Sequence, residues 1–207
     1  MKEQIWQHKE IKIQGVSLAG TYSAYLLPDL LCCVDVGQGF DWLLNVHQYF
    51  ITHGHMDHAS GIAYIISQKN MRHHPKPRFY MPASLIEPMT QIVRLWGQIE
   101  KFTYDFEFLA VEDFKEIPLK PGFKMRPFKT KHRIDSFGFS ADAWNLLLRH
   151  GLASANYAAN RRSTAENSTS ASIHFAPILS GPARAASCAA AVQHGRPTPY
   201  REARQSC

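Results

Sequence analysis

The chain has 207 residues, 45% hydrophobic and 12% aromatic, which suits one domain with a real core and argues against a fully disordered chain. No apolar run approaches the roughly 20 residues of a membrane-spanning helix, and four cysteines, two of them adjacent, make no disulfide framework. The formal charge of +6 divides into +2 over residues 1–140 (16 basic, 14 acidic) and +4 over residues 141–207 (7 basic, 3 acidic), so it is weak evidence for any partner.

The start, Met1-Lys2-Glu3-Gln4, is polar with no signal-peptide core behind it, and the cytoplasm is the expected compartment. Ile11 and Ile13 alternate with polar residues as in a half-buried strand, and residues 15–22 read as a turn. Strands are predicted over 23–27 and 31–36, joined through Pro28-Asp29. The second runs into Val34-Asp35-Val36-Gly37, where Asp35 reads equally as a turn-former. A short helix capped by Asp41 is expected over 41–47.

The stretch Tyr49-Phe50-Ile51-Thr52-His53-Gly54-His55-Met56-Asp57-His58 carries the densest chemistry. A short apolar run reads as a buried strand, and four potential metal ligands follow it within six residues. Imidazole nitrogen and carboxylate oxygen form the set zinc prefers when cysteine is absent. A loop leaving a strand end can aim several such side chains at one point, with Gly54 relieving the crowding.

Residues 61–68 form an amphipathic helix with Ile62, Ile65 and Ile66 at helical spacing. His73 and His74, beside Pro75 and Pro77, read as a surface loop. A strand is expected over 78–81. The clearest helix spans 84–101, with Leu85, Met89, Ile92, Val93, Trp96 and Ile99 predicted to face the core. Strands follow over 106–111, 116–119 and from Phe123 to Phe128. Lys120, Lys124, Arg126, Lys129, Lys131 and Arg133 form a basic cluster there, either a phosphate-binding surface or a solvated strand face.

From about Ser140 the character changes. No lysine follows Lys131, and alanine, serine and arginine dominate without apolar periodicity. Residues 1–140 therefore read as the folded domain and 141–207 as an atypical, disordered tail.

His53-x-His55-x-Asp57-His58 resembles the signature of the metallo-β-lactamase superfamily, whose members are mostly zinc hydrolases. The Asp35-x-Gly37 step resembles the element that packs beneath the metal loop in that family. His132, three residues ahead of Ser136-Phe137-Gly138-Phe139, resembles the third ligand motif of its ribonuclease Z-like branch. The fold class implied is α/β, an αββα sandwich of which the first half is recognisable and the second missing or replaced. The resemblance implies that His53, His55 and His132 hold one zinc ion. It gives Asp57 and His58 to a second, with Asp57 also catalytic in orienting the attacking water.

The function implied is hydrolysis of a phosphodiester or RNA, on the 3′ side of a tRNA precursor. Gly54 and Met56 stand where that branch usually has Leu and Gly, and its tRNA-binding arm is not recognisable. No bridging aspartate in a Gly-Asp setting follows residue 140, and Ile173-His174-Phe175 is only loosely like the final-histidine motif. The expectation is therefore a chain truncated or frameshifted after about residue 140 and impaired in activity. The alternatives are a general metal-dependent ester hydrolase and a non-catalytic remnant holding one zinc or none. Expected partners are RNA or another phosphodiester and a second copy in a homodimer, with no membrane.

Overall fold

The computed structural model describes residues 3–8, 11–143, 172–177 and 188–193. Seven strands build the first sheet, in chain order: β1 (Gln4–His8), β2 (Ile11–Leu18), β3 (Tyr22–Leu27), β4 (Cys32–Val36), β5 (Gln48–Phe50), β6 (Arg78–Met81) and β7 (Glu107–Ala110). β1 to β4 pair antiparallel and β4 to β7 parallel. The switch follows from the connections. Short turns join the antiparallel strands, whereas the parallel ones need longer crossovers: β5 is reached through residues 37–47 with a 3-10 turn, β6 through α1 and α2, and β7 through α3.

Three helices follow from the sequence between strands: α1 (Met56–Ala59), α2 (Ile62–Met71) and α3 (Ala83–Glu100). Strand alternation sorts the core into two layers. Cys33, Tyr49, Ile51, Phe79 and Met81 face the helices, meeting Ile62, Ile65, Ile66, Met89 and Val93. Cys32, Val34 and Phe50 face the other way, onto Met125, Phe137, Phe139 and Ala141 of a second sheet. That sheet runs β12 (Cys188–Gln193), β11 (Ser172–Pro177), β10 (Phe137–Ala143), β9 (Phe123–Lys129), β8 (Ile117–Pro118), all neighbours antiparallel. The three layers are helices, sheet and sheet, three of the four layers of the αββα sandwich expected from the sequence.

The structure departs from the sequence reading in several places. β1 and β10 were not expected as strands, and β2 runs on to Leu18, through the proposed turn. The helix capped by Asp41 shortens to a 3-10 turn over Asp41–Leu43 with Phe40 at its cap. α3 buries Met89, Val93 and Gly97, while Ile92, Leu95, Trp96 and Ile99 are 44–68% exposed. The sheet-facing row is thus the i, i+4 row that includes Gly97, where an added Cβ would lie 2.7 Å from the Phe102 carbonyl oxygen. Two segments of the expected tail, β11 and β12, are strands; residues 144–171, 178–187 and 194–207 of it lie outside the described residues. No helix among the described residues is long and apolar enough to cross a membrane.

One buried cation braces the helix layer. Lys69 of α2 is fully enclosed, and its Nζ donates to the carbonyls of Leu44 (3.0 Å) and Val46 (2.7 Å). Burial pulls its pKa down to about 8. Tyr49 Oη donates to the neighbouring carbonyls of Leu43 and Val46, so the segment entering β5 is held from two sides. Cys32 and Cys33 are buried free thiols whose ionisation burial strongly disfavours.

Candidate metal centre

The site lies where β4 and β5 end. Asp35, on the last turn of β4, is wholly buried at a positive φ of 55°. A buried carboxylate survives only if its lone pairs are used. Here Oδ1 accepts the Thr52 N–H at 2.8 Å, and the Thr52 hydroxyl lies 2.8 Å from Oδ2. Oδ2 also accepts from His58 Nδ1 at 2.7 Å. Asp35 thus ties the end of β5 to α1.

These contacts fix tautomers. Thr52 Oγ1 has one hydrogen, and the carboxylate, which can only accept, takes it. The 2.8 Å contact between Thr52 Oγ1 and His53 Nδ1 therefore runs from the ring N–H to the hydroxyl. His53 is left with a lone pair on Nε2. By the same logic His58 carries its proton on Nδ1 and turns Nε2 toward Asp57 Oδ2, 3.5 Å away. Burial lowers the pKa of His53 to about 4, with the neighbouring imidazoles adding to the effect and Asp35 opposing it. His53 is neutral at pH 7, as a metal ligand must be. For His58, burial acts downward but the Asp35 carboxylate outweighs it, and the pKa is raised.

His55 sits at the N-cap of α1, and its Nδ1 is 3.1 Å from His53 Nε2. The third imidazole arrives from the second sheet. Thr130 N–H donates to the Ser136 carbonyl at 3.1 Å, their hydroxyls meet at 2.6 Å, and Phe137 N–H donates to the Thr52 carbonyl at 2.9 Å. His53 and Ser136 form an antiparallel bridge. The loop 130–136 is thereby closed at its base against the end of β5, and it carries His132 to within 4.5 Å (ring centroids) of His53 and 4.9 Å of His55. One nitrogen from each of the three rings lies within 4.8 Å of the others. His132 is shifted toward neutrality, first by burial and then by His55, His58 and Arg133.

The donor set fits a metal ion. His132 Nδ1 is buried and has no hydrogen-bond partner among the described residues, an arrangement that costs stability unless something else takes the lone pair. Ligand nitrogens of a tetrahedral zinc site stand roughly 3.3 Å apart, close to the His53–His55 spacing of 3.1 Å. Asp57 is held beside the triad by the Gly20 N–H, 3.1 Å from Oδ2.

All five sequence-predicted site residues therefore lie in one place: His53, His55 and His132 as a triad, with Asp57 and His58 along one side. The sequence reading placed Asp35 beneath the metal loop by resemblance, with a turn-former as the alternative; Thr52 is the partner to which it gave no role. The signal for Asp35 was a carboxylate inside an otherwise apolar strand. Gly61 is a further requirement of the site, since a Cβ there would lie 2.1 Å from the Gly39 nitrogen. No side chain can stand where the turn after β4 crosses the start of α2. The basic cluster divides. Lys124 and Arg126 pair with Glu116 at 2.5 and 3.1 Å, and Lys120 lies over the Phe123 ring. Lys129, Lys131 and Arg133 are exposed at and beside the His132 loop. His73 and His74 are in a loop, His74 bonded to the Leu44 carbonyl.

Comparison with known proteins gives three kinds of match. A family model described as "Anti-Pycsar protein Apyc1" matches residues 35–167, so the similarity crosses the change in composition at residue 140. The chloroplastic tRNase Z TRZ2 of Arabidopsis thaliana is 28% identical over 130 residues, covering 61% of this chain and 36% of its own length. The tRNase Z TRZ1 of the same plant is 23% identical over 138 residues, covering 67% and 49%. Among solved structures, the short form of human tRNase Z superposes with a TM-score of 0.42 at 18% identity, covering 62% of this chain and 57% of that one. The chain thus spans about a third to a half of the length of these curated relatives.

Proposed function

The chain belongs to the family described as Anti-Pycsar protein Apyc1, and we propose, from its histidine triad and its tRNase Z relatives, that its site is that of a zinc-dependent phosphodiesterase with RNA as substrate. The observation that supports this reading most is the convergence of three imidazoles, two of them held by β5 and α1 and one by the 130–136 loop. The curated relatives, both named tRNase Z, support RNA, and the 3′ side of a tRNA precursor is the substrate we favour. His53, His55 and His132 would hold one ion, and Asp57 and His58 a second. Bound zinc supplies Lewis acidity and lowers the pKa of a coordinated water toward about 7. Around it the chain's own groups orient and neutralise. Asp57, with Oδ2 anchored by the Gly20 N–H, would orient the attacking water. Lys131 and Arg133 present cations to a phosphate.

In this chain we propose that the activity is impaired. Residues 141–207 contain no convincing bridging aspartate or final histidine, and Asp57 with His58 alone are too few for a tight second site. We read this portion as a replaced second half. Two other readings remain open to test: a general metal-dependent esterase on the same site, and a remnant that binds one zinc and turns nothing over. Zinc counting together with a phosphodiester assay separates them. Two zinc ions per chain and turnover abolished in His55→Ala support a working enzyme. Turnover of carboxylic esters but not phosphodiesters moves the reading to the esterase. One zinc and no turnover support the remnant.

The proposal includes a homodimer and a cytoplasmic setting. Two buried free thiols suit a reducing compartment. The second copy would dock on the outward stripe of α3. Ile92, Leu95, Trp96, Ile99 and Phe102 expose on the order of 600 Å² there, the upper end of what a monomer shows and close to the roughly 800 Å² per partner of a standard interface.

A further inference from the structure

Two of the four imidazoles in the site have a hydrogen-bonded partner that sets their tautomer and angle: His53 has the Thr52 hydroxyl and His58 has Asp35. His132 has none: its buried Nδ1 is the nitrogen left for the metal, and no hydrogen bond to its ring is made among the described residues. Metal-binding histidines ordinarily depend on such a partner for orientation. Something other than a bond to the ring must therefore hold His132 in place.

The base of its loop is closed by Thr130 and Ser136, but that contact lies at the loop's ends. On the outer side, residues 134 and 135 reach the first turn of α3. Ser84 Oγ donates to Asp135 Oδ2 at 3.1 Å. Leu85 and Ile134 both close over Gly54, where an added Cβ would lie 3.1 Å from Leu85 Cδ1 and 4.0 Å from Ile134 Cδ1. Gly54 is the residue between His53 and His55. The first turn of α3 therefore touches both loops that supply histidines. That turn has no side-chain cap and no acidic residue of its own, so the carboxylate of Asp135 arrives at the positive end of an 18-residue helix that lacks one.

We propose that Asp135 is a positioning residue: through Ser84 and the start of α3 it latches the 130–136 loop so that His132 meets His53 and His55. The latch substitutes, at loop level, for the ring partner that His132 lacks. This rests on the reading of the three histidines as a metal site, and it extends that reading to a residue that touches neither metal nor substrate.

Zinc affinity of the full chain, measured by competition with a chromophoric chelator, tests it, with the visible spectrum of the cobalt-substituted protein as a second readout. Asp135→Ala is expected to weaken zinc binding about tenfold and to alter the cobalt spectrum, with the thermal midpoint of the metal-free chain unchanged. Asp135→Asn keeps an oxygen for Ser84 to donate to and should bind zinc as the parent does, and Ser84→Ala should reproduce the loss. In a His132→Ala background, Asp135→Ala should have no further effect on zinc. Parent-like affinity in Asp135→Ala, or an equal loss in the His132→Ala background, would overturn the latch while leaving the metal site standing. A parent chain that binds no zinc would remove the metal reading and the latch together.

Discussion

The end of β5 with α1 and the 130–136 loop bring imidazoles to one point by different means. On the first side, the geometry is set by buried polar contacts: Asp35 satisfies Thr52 and His58, and Thr52 in turn fixes His53. On the second, His132 rides on a loop whose outward residues are exposed, tied by an exposed Ser–Asp contact and an apolar touch over Gly54. The first side is therefore inseparable from the core, and damage to it is damage to folding. The second can be loosened while the fold stays intact, so its effects fall on the metal alone.

The largest expected effect breaks the first side. Asp35→Ala leaves a buried Thr52 N–H and the His58 ring without their acceptor, and should destabilise the chain by about 3–5 kcal/mol, read as the shift in a denaturant midpoint. A loss under about 1 kcal/mol would mean that Asp35 is a turn-former and no more.

Buried polar anchoring also predicts a pH signature that the exposed latch should lack. The Lys69 pKa falls from 10.5 to about 8 on folding because burial disfavours the ammonium. Below pH 8 the lysine is charged in both states and the burial cost is fully present. Between about 8 and 10.5 the unfolded chain binds more protons, so stability rises with pH by on the order of 2 kcal/mol. Above that window the cost is gone. Comparison with Lys69→Met isolates the effect: the parent should gain on the variant across this window, and parallel profiles would contradict the argument.

Smaller effects belong to the exposed regions. The latch predicts about a tenfold change in zinc affinity in Asp135→Ala without a change in folding. The smallest effect on stability is expected at the outer face of α3. Leu95→Lys with Ile99→Lys should alter folding by under about 0.5 kcal/mol, yet convert a dimer to a monomer in sedimentation velocity. A parent that sediments as a monomer, or a dimer that survives both changes, would remove this face as the interface.

The legibility of the sequence followed the same division. The metal loop could be read because its ligands are contiguous and follow a strand, and His132 because its neighbours resemble a family motif. α2 and α3 were legible in extent. The orientation of α3 was not, since it has two apolar rows and periodicity alone does not say which meets the sheet. Gly97, on the row of Met89 and Val93, was the available clue: only a residue without a side chain lets that row approach the backbone at Phe102. Asp35 was visible as an oddity in an apolar strand, but its role depends on Thr52 and His58, 17 and 23 residues away. β11 and β12 were missed for a related reason. Their sequences carry little alternation, and their pairing depends on β10 rather than on themselves.

The central claim is that β5, α1 and the 130–136 loop together form one metal site. Titrating zinc into the metal-free chain and into His132→Ala tests it most directly. The account predicts at least one zinc bound per parent chain, with affinity in the variant falling by more than the roughly 10–100-fold typical of an outer-shell change. Equal affinity in the two chains, or no binding by the parent, would contradict it.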